Sequence, residues 1–180
     1  MSLKNWEKIS EKILLRNNYW EYRLDKFRIG ENISGDYHYV HTQGSTMVVP
    51  LLNNGLFLMV KQFRYLNSKE SIEFPCGSIQ KNLSATENAI KELREEAGVN
   101  AKNIFKIGQF NPYNGVTDEI CEIFLARDLF PSPLPKDSTE DFETLQLTTS
   151  EIDSLIKNNI LWDGMTIAAW QLFKIKMELQ

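Results

Sequence analysis

Glu92, Glu95 and Glu96 are the side chains whose type and spacing point most directly to chemistry in this 180-residue chain. An α-helix turns by about 100° per residue, so the three carboxylates fall within one arc of roughly 100°. Like charges at that spacing repel by a few tenths of a kcal/mol per pair on an open helix, and by more where the face is partly buried. A hard divalent cation removes the repulsion. Mg²⁺ takes oxygen ligands, commonly one or two carboxylates together with substrate phosphates. Taken alone, the same residues also read as a solvated face, with Lys91 and Arg94 offsetting the charge.

The elements that must position these acids are legible on both sides. Ser84 is an N-cap candidate and Glu87 follows three residues later, which makes a capping box. Gly98 stands where a left-handed C-terminal cap favours a residue without a Cβ. Ala89, Ile90, Leu93 and Ala97 recur at helical spacing and supply an apolar stripe, while the three glutamates lie on a different side. Gly77 opens the stretch in a glycine loop.

The whole stretch from Gly77 to Val99, GSIQKNLSATENAIKELREEAGV, resembles the Nudix box, G-x5-E-x7-R-E-U-x-E-E-x-G-U with U aliphatic. Gly77, Glu92, Leu93, Glu95, Glu96, Gly98 and Val99 match. Leu83 stands where the family has its first glutamate, and Lys91 where it has arginine. Lys91 keeps the charge and loses the planar two-pronged donor. Further resemblance lies upstream. Lys61-Gln62-Phe63-Arg64-Tyr65 is similar to the Gln-aromatic-Arg strand end of the ADP-ribose and ADP-sugar pyrophosphatase branch. Glu73-Phe74-Pro75-Cys76-Gly77 is similar to the Glu-x-Pro-Ala-Gly that leads into the box there.

The resemblance implies an α/β (α+β) fold in which a mixed β-sheet is sandwiched between helices, with a small N-terminal β segment. Residues 1–44 are then a dimerisation and base-binding segment, and 45–180 the hydrolase domain. It implies metal ligation by Glu92, Glu95, Glu96 and the main-chain carbonyl of Cys76, with Mg²⁺ as the ion and Mn²⁺ as the alternative. It places Glu95 among the catalytic groups as well. It makes Glu140 the water-activating base, with Glu143 second; apart from the resemblance, both read as a solvated acidic turn. Arg64 becomes a phosphate-binding arginine, since a guanidinium donates two parallel hydrogen bonds to phosphate oxygens. Glu73, Gly115 and Asp118 join the substrate-binding set. Trp20 or Tyr22 would stack on a nucleobase in the partner subunit of a homodimer.

The rest of the chain supplies strands and two closing helices. Lys12 to Leu15 and Trp20 to Phe27 read as strands broken at Asn17-Asn18, with turns at Gly30-Glu-Asn and at Ser34-Gly35. Met47 to Leu52 and Leu56 to Phe63 flank Asn54-Gly55, a strong hairpin signal. Ile104 to Phe110 and Ile120 to Ala126 read as strands around a turn-rich loop, Asn111 to Glu119. Leu129 to Glu140, with three prolines, reads as a long loop near the site. Thr144-Leu-Gln-Leu is a strand. Glu151 to Lys157 and Met165 to Leu179 are helices, the last capped by Asp163 or Thr166.

Composition bounds the remaining classes. The chain is 42% hydrophobic and 24% charged, with a net charge of −4 and two cysteines. That fits one globular core with a small accessory part and argues against a broad nucleic-acid footprint. Two cysteines make no disulfide framework, which fits a reducing cytoplasm. No apolar run reaches the length of a membrane span. The expected activity is Mg²⁺-dependent hydrolysis of the pyrophosphate bond in a nucleoside diphosphate linked to another group, ADP-ribose or an ADP-sugar first. Two alternatives stay open. One is GDP-mannose or another nucleotide sugar as substrate. The other, motivated by Leu83 and Lys91, is a nucleotide-binding protein that hydrolyses weakly.

Overall fold

The structure is a computed structural model and describes residues 3–135 and 141–178. Three antiparallel strands, β1 (Glu7–Arg16), β2 (Glu21–Ile29) and β3 (Ile33–His41), form a sheet of their own. Asn17 closes its first turn, its Oδ1 accepting from the backbone N–H groups of Tyr19 (2.8 Å) and Trp20 (2.9 Å). Gly30 makes the second with φ +60°. Ser34-Gly35, expected as a turn, instead lies inside β3. Gly35 is paired with Phe27, and a Cβ there would meet the phenyl ring at 2.8 Å, so the glycine makes room for the ring rather than for a bend.

The rest of the chain builds two further sheets. The first contains β7 (Cys76–Ser78), β4 (Ser45–Pro50), β9 (Cys121–Pro131) and β8 (Val99–Phe110), in that order. It is mixed: β4 runs parallel to β9 and antiparallel to β7. The second, antiparallel, has the order β10 (Glu143–Leu147), β5 (Phe57–Arg64), β6 (Lys69–Glu73). The expected β4–β5 hairpin is therefore a turn without a hairpin. Gly55 has φ +83° and its N–H reaches the Leu52 carbonyl at 2.9 Å, as the Asn-Gly signal demands. Beyond one bridge, Leu51 to Phe57, the strands part into different sheets. The apolar character of both strands explains this: β4 is buried along its whole length and β5 over Phe57–Val60, and each pairs with other partners. β9 also continues through Pro131, past the point at which a loop was expected to begin.

Helices cover both faces. On one side α1 (Ala85–Glu96) packs Ala89, Leu93 and Ala97 against Val48, Leu58, Val60, Phe124 and Ala126. On the other, α2 (Thr149–Lys157) and α3 (Gly164–Glu178) bring Ile152, Trp170 and Phe173 onto Met47, Met59, Phe74 and Ile123. Alternation along the strands sends even-numbered residues of β5 toward α1 and odd-numbered ones toward α3. The expected sandwich of mixed sheet between helices is thus present. Each helix begins as its sequence dictates. Ser84 and Glu87 complete the capping box of α1, and Thr148 and Glu151 that of α2. For α3 it is Asp163 that caps, accepting from the Thr166 N–H at 2.7 Å. No helix of the described residues is long and apolar enough to cross a membrane.

Candidate active site

The acidic helix is seated on the strand that precedes it. Gly77 lies directly under Glu92: a Cβ there would come within 2.4 Å of the carboxylate. One turn on, a Glu96 carboxylate oxygen accepts the backbone N–H of Cys76 at 3.1 Å. Glu92 and Glu96 are buried and Glu95 is partly so. A third contact comes from Asn88, a polar residue beside the apolar stripe whose importance the sequence reading missed. It is fully buried. Its Nδ2 donates to Thr46 Oγ1 at 2.9 Å and to the Gly77 carbonyl at 3.4 Å, and its Oδ1 accepts from the Gln80 N–H at 3.1 Å. One amide thereby ties β4, the glycine loop and α1 together. The detectable signal was a carboxamide one turn before Glu92, on the helix side of the acids.

Lys91 enters this acidic face. Its ammonium pairs with Glu95 and lies 3.4 Å from Glu92 Oε1. Burial works to lower the Lys91 pKa, but the Glu95 hydrogen bond and the charge of Glu92 outweigh it, so the ammonium is held above its ordinary value. Arg94, the other cation expected to offset the charge, turns elsewhere and donates to the Ser132 carbonyl at 2.9 Å. In this conformation no three His, Cys, Asp or Glu side chains among the described residues converge on one metal point. The donor chemistry nevertheless suits a hard cation. The face offers carboxylate oxygens, and a positive charge already stands among them in the form of the Lys91 ammonium.

The second half of the site is on β5 and β6. Arg64 Nε donates to Glu73 Oε1 at 2.8 Å and Nη2 to Oε2, a two-pronged pair. Gln62 Nε2 adds a bond to Oε2 at 3.3 Å. Glu73 is only 1% exposed, whereas the guanidinium reaches partly into solvent. The pair holds the Arg64 pKa above its ordinary value, chiefly through the Glu73 hydrogen bond. Asp163 lies near; burial, and then the charge of Glu73, push its carboxyl up. Even-numbered Gln62 and Arg64 share the sheet face of Val60, which is the face covered by α1.

The remaining expected site residues are distributed as follows. Glu143 pairs in register with Lys61 and makes an ion pair with it at 2.6 Å. Alternation puts that pair on the sheet face opposite Arg64. Glu140 lies outside the described residues. The Cys76 thiol is pushed up by its contact with Cys121 and then by burial, which leaves it neutral. Gly115 and Asp118 join the N-terminal sheet to the rest. Gly115 accepts from Tyr37 Oη at 3.3 Å. Asp118 Oδ2 meets His41 Nδ1 at 2.7 Å, and its Oδ1 accepts the Thr42 N–H at 3.3 Å. Trp20 and Tyr22 are exposed, and Tyr22 Oη is 3.0 Å from His38 Nδ1 with the two rings stacked.

The acidic helix is thus anchored on a glycine strand of one sheet, and the Arg64–Glu73 pair lies on the α1-facing side of the other. The NUDIX domain profile matches residues 41–164. The chain is 32% identical over 139 residues to an ADP-ribose pyrophosphatase of Bacillus subtilis (strain 168), which covers 76% of this chain and 75% of that protein. It is 27% identical over 143 residues to the methanol dehydrogenase activator of Bacillus methanolicus, covering 78% and 77%. A crystal structure of an ADP compounds hydrolase shares the fold with a TM-score of 0.86 at 17% identity, over 99% of this chain and 97% of that one. The chain belongs to the NUDIX family and is a Nudix hydrolase of the pyrophosphatase kind. The family generally uses a divalent metal ion.

Proposed function

We propose that this enzyme hydrolyses the pyrophosphate bond of a nucleoside diphosphate linked to a sugar, ADP-ribose first, and releases a nucleoside monophosphate and a sugar phosphate. The single observation that carries this reading is the seating of Glu92 and Glu96 on the Gly77 and Cys76 backbone. The similarity to the Bacillus subtilis ADP-ribose pyrophosphatase supports the choice of substrate.

Glu92, Glu95 and Glu96, with the Cys76 carbonyl, would hold Mg²⁺. When bound, such an ion neutralises the diphosphate and lowers the pKa of a coordinated water. The chain's own residues do the rest. Both prongs of Arg64 are committed to Glu73, so its Nη1 protons and the remaining Nη2 proton are the ones available to a phosphate oxygen. Glu73 is buried and acts through Arg64, fixing the plane of the guanidinium. Asn88 and Gly77 fix the height of α1 above β7, and therefore where the carboxylates stand. Glu140 is the first choice for the base that takes the proton from water. Glu143, engaged by Lys61 on the other face, ranks below it. The three-stranded N-terminal sheet, with β1 exposed along its whole length, is the surface on which a second subunit would pack, bringing Trp20 and Tyr22 toward a nucleobase.

The test is monophosphate release from ADP-ribose, ADP-glucose and GDP-mannose, with Mg²⁺ and with chelator, by wild type and Glu96→Gln. Metal-dependent turnover of ADP-ribose, lost in Glu96→Gln, is the expected result. Preference for GDP-mannose would change the substrate and keep the site. Glu96→Gln turning over at the wild-type rate would overturn the metal assignment.

A further inference from the structure

We propose that Lys91 is a built-in competitor for the metal, its ammonium holding Glu92 and Glu95 together in the metal-free enzyme and giving them up when a divalent cation binds. The inference rests on the assignment of those glutamates as metal ligands. Lys91 precedes Glu92 in sequence and stands one helical turn before Glu95, and its ammonium contacts both carboxylates. Its side chain is about as enclosed as that of Glu95, so the pairing is not a solvent-screened surface contact. A Glu95 oxygen that is paired with the Lys91 ammonium donates more weakly to a metal, and a divalent ion among these carboxylates would repel the ammonium at close range.

The residue type matters. A guanidinium at this position would grip a carboxylate in a fixed plane with two parallel bonds and could orient it while leaving its other lone pairs free. An ammonium is a compact point charge on a flexible stem and can occupy the cation's own place. Lysine here therefore does two things. It keeps Glu92 and Glu95 from repelling one another when no metal is present, and it raises the metal concentration at which the site fills. The first effect stabilises the metal-free fold; the second weakens metal binding.

The experiment measures Mn²⁺ binding to the full chain, by loss of the free-ion paramagnetic resonance signal, together with melting temperature in chelator. The proteins are wild type, Lys91→Met, Lys91→Gln and Lys91→Arg. Removing the charge is expected to tighten Mn²⁺ binding by roughly fivefold, the equivalent of one well-formed ion pair, and to lower the melting temperature in chelator. Lys91→Arg retains the charge and is expected to keep the chelator melting temperature of wild type. Lys91→Gln preserves polarity and most of the side-chain length, so it serves if Lys91→Met fails to fold. Weaker or unchanged Mn²⁺ binding in the uncharged variants would overturn the proposal and make Lys91 a positioning residue for its carboxylates. Glu96→Gln binding Mn²⁺ as tightly as wild type would instead remove the metal-site assignment beneath it, and the proposal with it.

Discussion

Gly77 and Glu92 are packed so closely that a side chain on the glycine would displace the carboxylate: a Cβ would sit 2.4 Å from the carboxylate carbon. The constraint is one of space, since Gly77 lies in a paired strand opposite Thr46 and needs no left-handed backbone. The carboxylate is the movable partner. Gly77→Ala is therefore expected to fold, with Glu92 pushed off its position, and to lose turnover on the order of a hundredfold, the usual effect of a misplaced catalytic group. Circular dichroism and monophosphate release on the same sample separate the two effects.

Arg64 and Glu73 differ in exposure, and so do the expected consequences of cutting the pair from either side. Arg64→Ala leaves a carboxylate that is 1% exposed, with Gln62 Nε2 at 3.3 Å still donating to it. A loss of about 3 kcal/mol in urea unfolding is expected, because a buried charge is left without its cation. Glu73→Gln alone keeps volume and hydrogen bonding and is expected to cost less. The double variant Arg64→Ala, Glu73→Gln should regain part of the first loss, since no buried charge remains. A double variant as unstable as the sum of the singles would show that packing, and not charge, governs the pair.

Glu87 gives the helix that carries the acids a dependence on pH. Its carboxylate accepts from the Ser84 hydroxyl at 2.7 Å and from the Ser84 N–H at 2.8 Å, and these bonds lower its pKa below the ordinary value near 4.5. The group binds its proton less readily folded than unfolded. The stability it adds is then fully present above about pH 4.5 and is lost as the pH falls through the lowered native value. Glu87→Ala should melt below wild type at pH 7, with the gap closing as the solution is acidified under pH 4.5. A gap that stays constant down to pH 2 would mean that the ionised carboxylate is not what caps the helix.

Asp118 joins the N-terminal sheet to the larger part of the chain through His41 and the Thr42 N–H. The neighbouring backbone pairs Val40 with Val116 at 2.8 Å. Asp118→Ala removes the side-chain half of that junction and leaves the backbone half. Limited proteolysis is expected to cut faster between residues 41 and 45, with the melting of the hydrolase core little changed. Equal cleavage rates would mean that the backbone ladder alone holds the sheet.

Much of this was readable from local chemistry. The capping box of α1, the Gly98 and Gly55 turns and the apolar stripe of α1 are decided by residues a few positions apart, and all are present. What escaped depends on partners distant in sequence. Asn54-Gly55 specifies a reversal but not whether the strands on either side stay together, and here each finds other neighbours. Gly35 reads as a turn residue until Phe27 is placed across from it. Asn88 looked like an ordinary helix-surface residue, yet it binds Thr46 and the Gly77 loop. Lys91 was legible as a departure from the family pattern, but its grip on Glu95 is a matter of side-chain placement. That Glu92, Glu95 and Glu96 share one face was legible from spacing alone, because a helix fixes the angle between its own residues.

The parallel pairing of β4 with β9 has a consequence for how the chain is made. The central strand of the mixed sheet finds this neighbour only at Cys121, which leaves the ribosome long after Ser45 does. Such distant pairing is slow to form because a long loop must close before any contact rewards it. The buried strand β4 and the glycine strand beneath the acidic helix must therefore wait, half-assembled and with apolar surface uncovered, until β9 is synthesised. A nascent chain stalled before residue 121 is expected to be protease-sensitive and to need a chaperone, although it already contains the whole acidic motif.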